Sequence, residues 1–200
     1  MKLLFICFLQ FVVAFSCNGQ SSMPSEEIQI KLALLAAPED GRNGATVYGY
    51  GEGVERVLLR AGTNELICLG DDPDEEGLNV SCYHKDLQPF MERGWELRKE
   101  GKNFNEIFEI REEEVKSGKL KMPDNGATLF VFTADQDDIN FITGEVTNGH
   151  FRYVVYIPYA TVESTGLPLK PEAPGMPWIM DPGTHRAHIM ITPPNPGKEQ

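Results

Sequence analysis

The chain has 200 residues, with 18 Lys and Arg against 30 Asp and Glu, and a formal net charge of −12. That length suits one domain that can bury its own core. The acidic balance excludes a nucleic-acid footprint and adsorption to anionic lipid head groups, both of which need an excess of Lys and Arg.

Lys2 precedes an almost unbroken apolar run from Leu3 to Phe15, interrupted only by Gln10. The run is shorter than the roughly 20 residues a helix needs to span a bilayer. With small residues at Ala14 and Ser16, it predicts a removable export signal over residues 1–16. Ala14-Phe15-Ser16-Cys17 resembles the lipobox of bacterial lipoprotein signals, in which the cysteine is lipidated and becomes the mature N-terminus. It departs from that pattern at Phe15 and in lacking Leu at the third position before Cys17. Cleavage after Ser16 by an ordinary signal peptidase would give a secreted chain instead. The resemblance implies a flexible tether over residues 17–24 and membrane attachment through lipid on Cys17. It places the protein in the bacterial cell envelope, facing the periplasm or the exterior. Residues 25–196 are then the folded part, and no later apolar run is long enough to cross a membrane.

Ser25 to Ala37 carries both strand-like alternation (Ile28, Ile30, Leu32, Leu34) and a helical face (Ile28, Leu32, Leu35). Its Ala and Leu content favours a helix capped by Ser25 and stopped by Pro38. From Ala45 the period shortens to that of strands. TVYGY, VERVLLR, ELICLG and NVSCYH form four β-rich runs separated by Gly, Asn and Asp. Gly49-Tyr50-Gly51-Glu52-Gly53 leads into another strand and not into a helix N-terminus, so it is a hairpin turn and not a phosphate cradle.

Asp86 is placed to cap a helix with Leu87, Phe90, Met91 and Trp95 on one face. Asn103 and Glu106 have capping-box spacing, opening a helix through Ile107, Phe108, Arg111 and Val115 to Gly118. ATLFVFT (127–133) is a strand. FITGEV and FRYVVYIPY flank Asn148-Gly149, the dipeptide that suits a type I′ hairpin, with His150 as an exposed turn residue. Residues 164–183 are rich in Pro and Gly, yet carry Met176, Trp178, Ile179 and Met180. They predict an irregular wrap packed on the domain. A last strand starts at His188 and ends before Pro193-Pro194.

Four constellations could carry chemistry. Cys68 and Cys82 lie symmetrically about a turn near Glu75. If ladder partners sum to 150, the sulfurs face each other as a cross-strand disulfide, which an oxidising compartment favours. Free thiols, or a zinc-type site adding His84, are the alternatives. Asp72, Asp74, Glu76 and Gly77 copy the start of a calcium loop, but its twelfth position is Tyr83 and not a bidentate Glu. A solvated acidic loop is preferred; Asp135, Asp137 and Asp138 form a second, and their approach would favour calcium. His185 and His188 are three apart, which separates them on a strand, so His185 is read as a turn residue and His188 as a half-buried, hydrogen-bonded one that could join His84. Ser117 and Ser164 lie in no GxSxG elbow.

LICLGDDP, VSCYHKDLQPFM, VVYIPYAT and PWIMDPGTHRAHIMI together are similar to an uncharacterised family of exported bacterial proteins. The similarity implies a bacterial source and one compact domain, with no activity, cofactor or catalytic residue attached. The fold expected is therefore a single α+β domain: a mainly antiparallel sheet packed on the two central helices, with a Pro-rich C-terminal wrap. The function expected is non-catalytic binding of an envelope ligand or partner without a cofactor. The alternatives are a metal-dependent hydrolase using His84, His185 and His188 with acidic partners, and a calcium-stabilised structural module.

Overall fold

The computed structural model describes residues 23–51 and 55–195; the export signal and Cys17 lie outside them. Ser25 caps α1 (Glu26–Ala33), its Oγ accepting from the Ile28 N–H at 3.4 Å. Glu26 and Glu27 in the first turn and Lys31 in the last suit the helix dipole. A 3₁₀ turn, Leu34–Ala36, carries the apolar face on toward Pro38. Helix, not strand, is the outcome for this segment.

One eight-stranded sheet runs β2-β1-β3-β4-β5-β8-β10-β9. Its strands are β1 (Thr46–Tyr50), β2 (Arg56–Arg60), β3 (Leu66–Leu69), β4 (Leu78–His84), β5 (Ala127–Ala134), β8 (His150–Tyr156), β9 (Trp178–Met180) and β10 (His188–Ile191). Every neighbouring pair is antiparallel except β1 and β3. β6 (Ile139–Asn140) and β7 (Glu145–Val146) form a separate small ribbon. Gly51 N–H donates to the Glu55 carbonyl at 2.9 Å and β1 pairs antiparallel with β2, so the chain around the glycines connects two strands of a hairpin.

Alternation along the strands gives the sheet two apolar faces. Val47, Cys68, Val80, Cys82 and Phe132 pack against Leu32, Ala33 and Ala36 of the N-terminal helical segment. Tyr83, Leu129, Val154, Tyr156 and Met190 pack on the other side with Phe90 and Val115. Those belong to α2 (Gln88–Lys99) and α3 (Phe104–Lys116). The fold is α+β as expected, with helices on both faces and not on one.

The α3 start follows the sequence. Asn103 Oδ1 accepts from the N–H groups of Asn105 and Glu106, and Glu106 accepts from the Asn103 N–H. The α2 start does not. Asp86 caps nothing; its N–H donates to His84 Nδ1 at 3.3 Å, and a 3₁₀ turn, Lys85–Leu87, precedes Gln88. The buried residues of α2 are Phe90, Gly94 and Leu97. Trp95 instead lies at the helix margin under Arg56 and Lys99, at 5.0 and 4.5 Å. Gly94 is small for a reason: a Cβ there would stand 2.7 Å from Arg111 Nη1 of α3.

The FITGEV–FRYVVYIPY hairpin does not form. FITGEV supplies the turn and second strand of the β6–β7 ribbon, folding back on Ile139–Asn140, and β8 pairs with β5 and β10. Asp138 decides this locally. Its carboxylate accepts from Thr147 Oγ1 at 3.0 Å and Asn148 Nδ2 at 2.6 Å, and its carbonyl accepts from the Thr147 N–H at 3.0 Å. His150 is consequently the first residue of β8, half-buried opposite Thr133, and not an exposed turn residue. The stretch 164–183 begins in the last residues of α4 (Val162–Thr165), capped by Thr161, runs without helix or strand to Pro177, and then contributes edge strand β9.

Candidate functional site

Cys68 and Cys82 are ladder partners on β3 and β4, joined as a disulfide with Cα atoms 4.0 Å apart. Both are fully buried. The bond staples two central strands, which removes these thiols from any metal or nucleophile role.

The acidic loops do approach one another. Gln136 Oε1 accepts from the Gly77 N–H at 3.0 Å. The carboxylates nearby serve the backbone: Asp71 Oδ1 accepts from Asn79 N–H at 2.7 Å, and Asp72 Oδ1 from Asp74 N–H at 3.1 Å. Burial pushes the Asp71 carboxyl up to about 6. Asp74 and Glu76 are exposed.

The histidines do not converge. Residues of β4 and β10 map across the sheet through the β4–β5–β8–β10 registers, in which Cys82 lines up with Phe130, Tyr153 and Ile191. By alternation His84 shares the face of Cys82, whereas His188 lies on the face of Tyr156. The expected His84–His188 cluster is therefore split by the sheet itself. His84 sits at the surface, 3.4 Å from Asp86. Among the described residues, no three His, Cys, Asp or Glu side chains group closely enough to hold a metal ion.

His185 lies in a turn and His188 opens β10, as expected, but both are deeply buried, at 0% and 4% exposure. Glu112 Oε2 accepts from the His185 backbone N–H at 2.8 Å and sits 2.6 Å from Nδ1. Phe90 and Phe108 flank the ring. His188 Nδ1 donates to the Arg186 carbonyl at 2.7 Å, and its ring lies 5.3 Å from that of Tyr156. Burial holds both imidazoles below the ordinary histidine range; for His185 it outweighs Glu112. Burial opposes ionisation of Glu112, yet bonds from Lys116 and His185 hold its carboxyl down to about 2. Nothing in the sequence pairs Glu112 with His185; they are brought together by α3 crossing the C-terminal turn.

An open concavity lies at the end of the helix-covered face, beyond α2 and α3. A groove of about 490 Å³ is lined by His150, Pro174, Met176, Trp178, Thr192 and Pro194. It adjoins a recess of about 160 Å³ lined by Thr133, Asp135, Asn148, His150 and Asn195. His150 and Trp178 project from the same face, since Trp178 aligns with Met190 and Met190 with Val154, four residues along β8 from His150. The loop between α4 and β9 supplies the opposite wall. Sequence reasoning missed this site. Its one legible signal was a tryptophan and methionines inside a proline-rich stretch.

No family model matches the chain, and neither a curated protein nor a solved structure matches it.

Proposed function

We propose that this chain is an exported protein of the bacterial envelope, anchored by lipid on Cys17, that binds a ligand or partner without catalysing a reaction. The groove between His150 and Trp178 receives that ligand. The observation that carries the reading is the groove's composition: an indole, a thioether and several prolines, with His150, Glu172, Thr192 and Asn195 as the polar groups. A largely apolar concavity with a few fixed polar groups, in the range of roughly 300–1,000 Å³, is the ordinary form of a binding site. His185 and His188, by contrast, are sealed in the core with their Nδ1 atoms committed.

The test is heteronuclear NMR of the mature protein titrated with fractions of envelope extract and with a fragment set. Saturable shifts at His150 and the Trp178 indole are expected, weakened at least tenfold by Trp178→Ala. Saturable shifts confined to other surfaces, or turnover of an envelope substrate, would sink the reading. Mass spectrometry of the mature N-terminus tests the anchor; an unacylated residue 17 removes it.

A second reading, a calcium-stabilised module, is favoured by the Gly77–Gln136 bond that sets the two acidic loops side by side. Thermal melts with calcium and with chelator decide it, and an unchanged midpoint removes it.

A further inference from the structure

We propose that His185 and His188 form an acid-sensitive latch that holds β10 and β9, and with them one wall of the groove, against α2 and α3. The latch stands whether or not the groove binds a ligand.

The geometry begins with the turn between β9 and β10. Three backbone bonds lace it to the chain leaving β8: Ile157 N–H to the Ala187 carbonyl at 2.9 Å, Tyr159 N–H to Thr184 at 2.8 Å and Gly183 N–H to Ala160 at 2.8 Å. The turn's side chains also hold α3: His185 on Glu112 and beside Phe108, and Arg186 over the Phe104 ring at 4.9 Å. Past the turn, β10 pairs with β8 over four residues and with β9 over three. This margin of the sheet is short, so His185 and His188 secure much of what lies beyond it.

The charges around the two rings come from every packed element. α3 presents Arg111, Glu112, Glu114 and Lys116; α2 presents Arg98 and the Phe90 carbonyl; β8 presents Tyr156, followed by Tyr159; the turn itself carries Asp181 and Arg186. Two of the three anions are already engaged: Glu112 serves Lys116 and two His185 donors, and Glu114 serves Arg93 and Lys119. Asp181 faces Arg186 at 3.5 Å, its buried Oδ2 otherwise without a hydrogen bond among the described residues, and is the one anion that favours a charged His188. Among the described residues Arg111 has no carboxylate in contact: Nη1 donates to the Phe90 carbonyl and Nε is buried without a hydrogen-bond partner.

Into this surrounding a proton fits badly. His185 Nε2 is buried with no partner, which a bare lone pair tolerates. Protonated, it becomes a buried charged donor without an acceptor, near Arg111 and Arg186. Protonated His188 adds a second charge beside Arg186. Exposure relieves both, so acid favours the state in which the turn and the strands on either side of it have lifted away. The sign follows from the lowered pKa values: the stability these histidines confer is complete above about pH 6.5 and is lost as pH falls. Between the unfolded and folded pKa values, opening rises about tenfold per pH unit for each histidine.

The experiment is amide hydrogen exchange and histidine-ring ¹⁵N titration by NMR on the mature protein, from pH 7.5 to 4.5. Protection factors in β9 and β10 should fall at least tenfold while those in β4 and β5 hold, with a midpoint matching the titration of His185 and His188. If β9 and β10 stay as protected as β4 and β5, or lose protection at a pH where neither ring titrates, the latch is overturned. The His185→Asn, His188→Asn variant keeps a donor near each Nδ1 position but cannot titrate. It should lose the acid dependence whatever its baseline stability. An unchanged acid dependence in it would equally overturn the proposal, and the wild-type titration decides if the variant does not fold.

Discussion

Gly149 lies just before β8, and its lack of a side chain is set by Phe132. A methyl placed there would fall inside the Phe132 ring, with Cζ, Cε2 and Cε1 all nearer than van der Waals contact allows. Phe132 cannot easily withdraw. It is 7% exposed, packs with Val80 and Cys82, and its ring centroid is 4.8 Å from that of Phe151. Gly149 does not adopt the left-handed backbone region, so alanine meets no backbone penalty at this position. Overpacking of this kind costs about 1–3 kcal/mol, and full loss of Phe132 packing about 3–5 kcal/mol. Gly149→Ala should therefore destabilise by about 2–4 kcal/mol. At about 2–4 °C per kcal/mol for a domain of this size, the midpoint drops roughly 5–15 °C. The decisive assay is a double-mutant cycle in urea with Phe132→Ala. Once the ring is gone, Gly149→Ala meets no clash, and its restriction of the unfolded chain should leave it neutral or stabilising by up to about 1 kcal/mol. Additive penalties in the cycle would refute the steric argument.

The remaining predictions concern other links in the chain of cause. Replacing Cys68 and Cys82 together by Ala opens a loop of 14 residues' separation and should cost about 3 kcal/mol in denaturant unfolding; no change would show that the closed loop contributes nothing. Asn103→Ala breaks the capping box of α3 and should cost about 1 kcal/mol by the same assay, with the α3 N-terminal amides exchanging faster than those of α2. Asp71, raised to about 6 by burial, favours folding when protonated, so its contribution is present in acid and lost as pH rises through 6. Asp71→Asn keeps the acceptor for Asn79 and should be more stable than wild type at pH 8 and equal to it near pH 3, below the unfolded carboxyl's range; a difference of the same size at both would count against buried ionisation.

Features fixed by neighbours in sequence were legible. The Asn103–Glu106 spacing gave the α3 cap, and the symmetric placing of Cys68 and Cys82 gave their register. Features fixed by remote groups were not. Asn148-Gly149 has the chemistry of a tight turn, but Asp138 captures Thr147 and Asn148, and the Phe132–Phe151 pairing draws β8 to β5. The parallel pairing of β1 with β3 has no local mark at all. For the same reason the groove was invisible: its walls come from separate stretches between Thr133 and Asn195, and no spacing links His150 to Trp178. His185 and His188 were placed correctly along the chain, yet their burial depends on Glu112, Phe90 and Phe108 from the helices.

The strand order has a consequence for biosynthesis. β1 to β4 occupy one half of the sheet and β5, β8, β9 and β10 the other, and within the sheet the halves meet only where β4 pairs with β5. A chain made from its N-terminus completes the first half with β4, the longest strand there, as an open border of unpaired N–H and C=O groups. The helices that follow cover a face and not that border. Until Ala127–Ala134 arrives, the nascent protein carries a ready template for pairing with another copy. Chaperone demand and aggregation during synthesis should therefore peak in chains truncated between α3 and β5, and fall once β5 is complete.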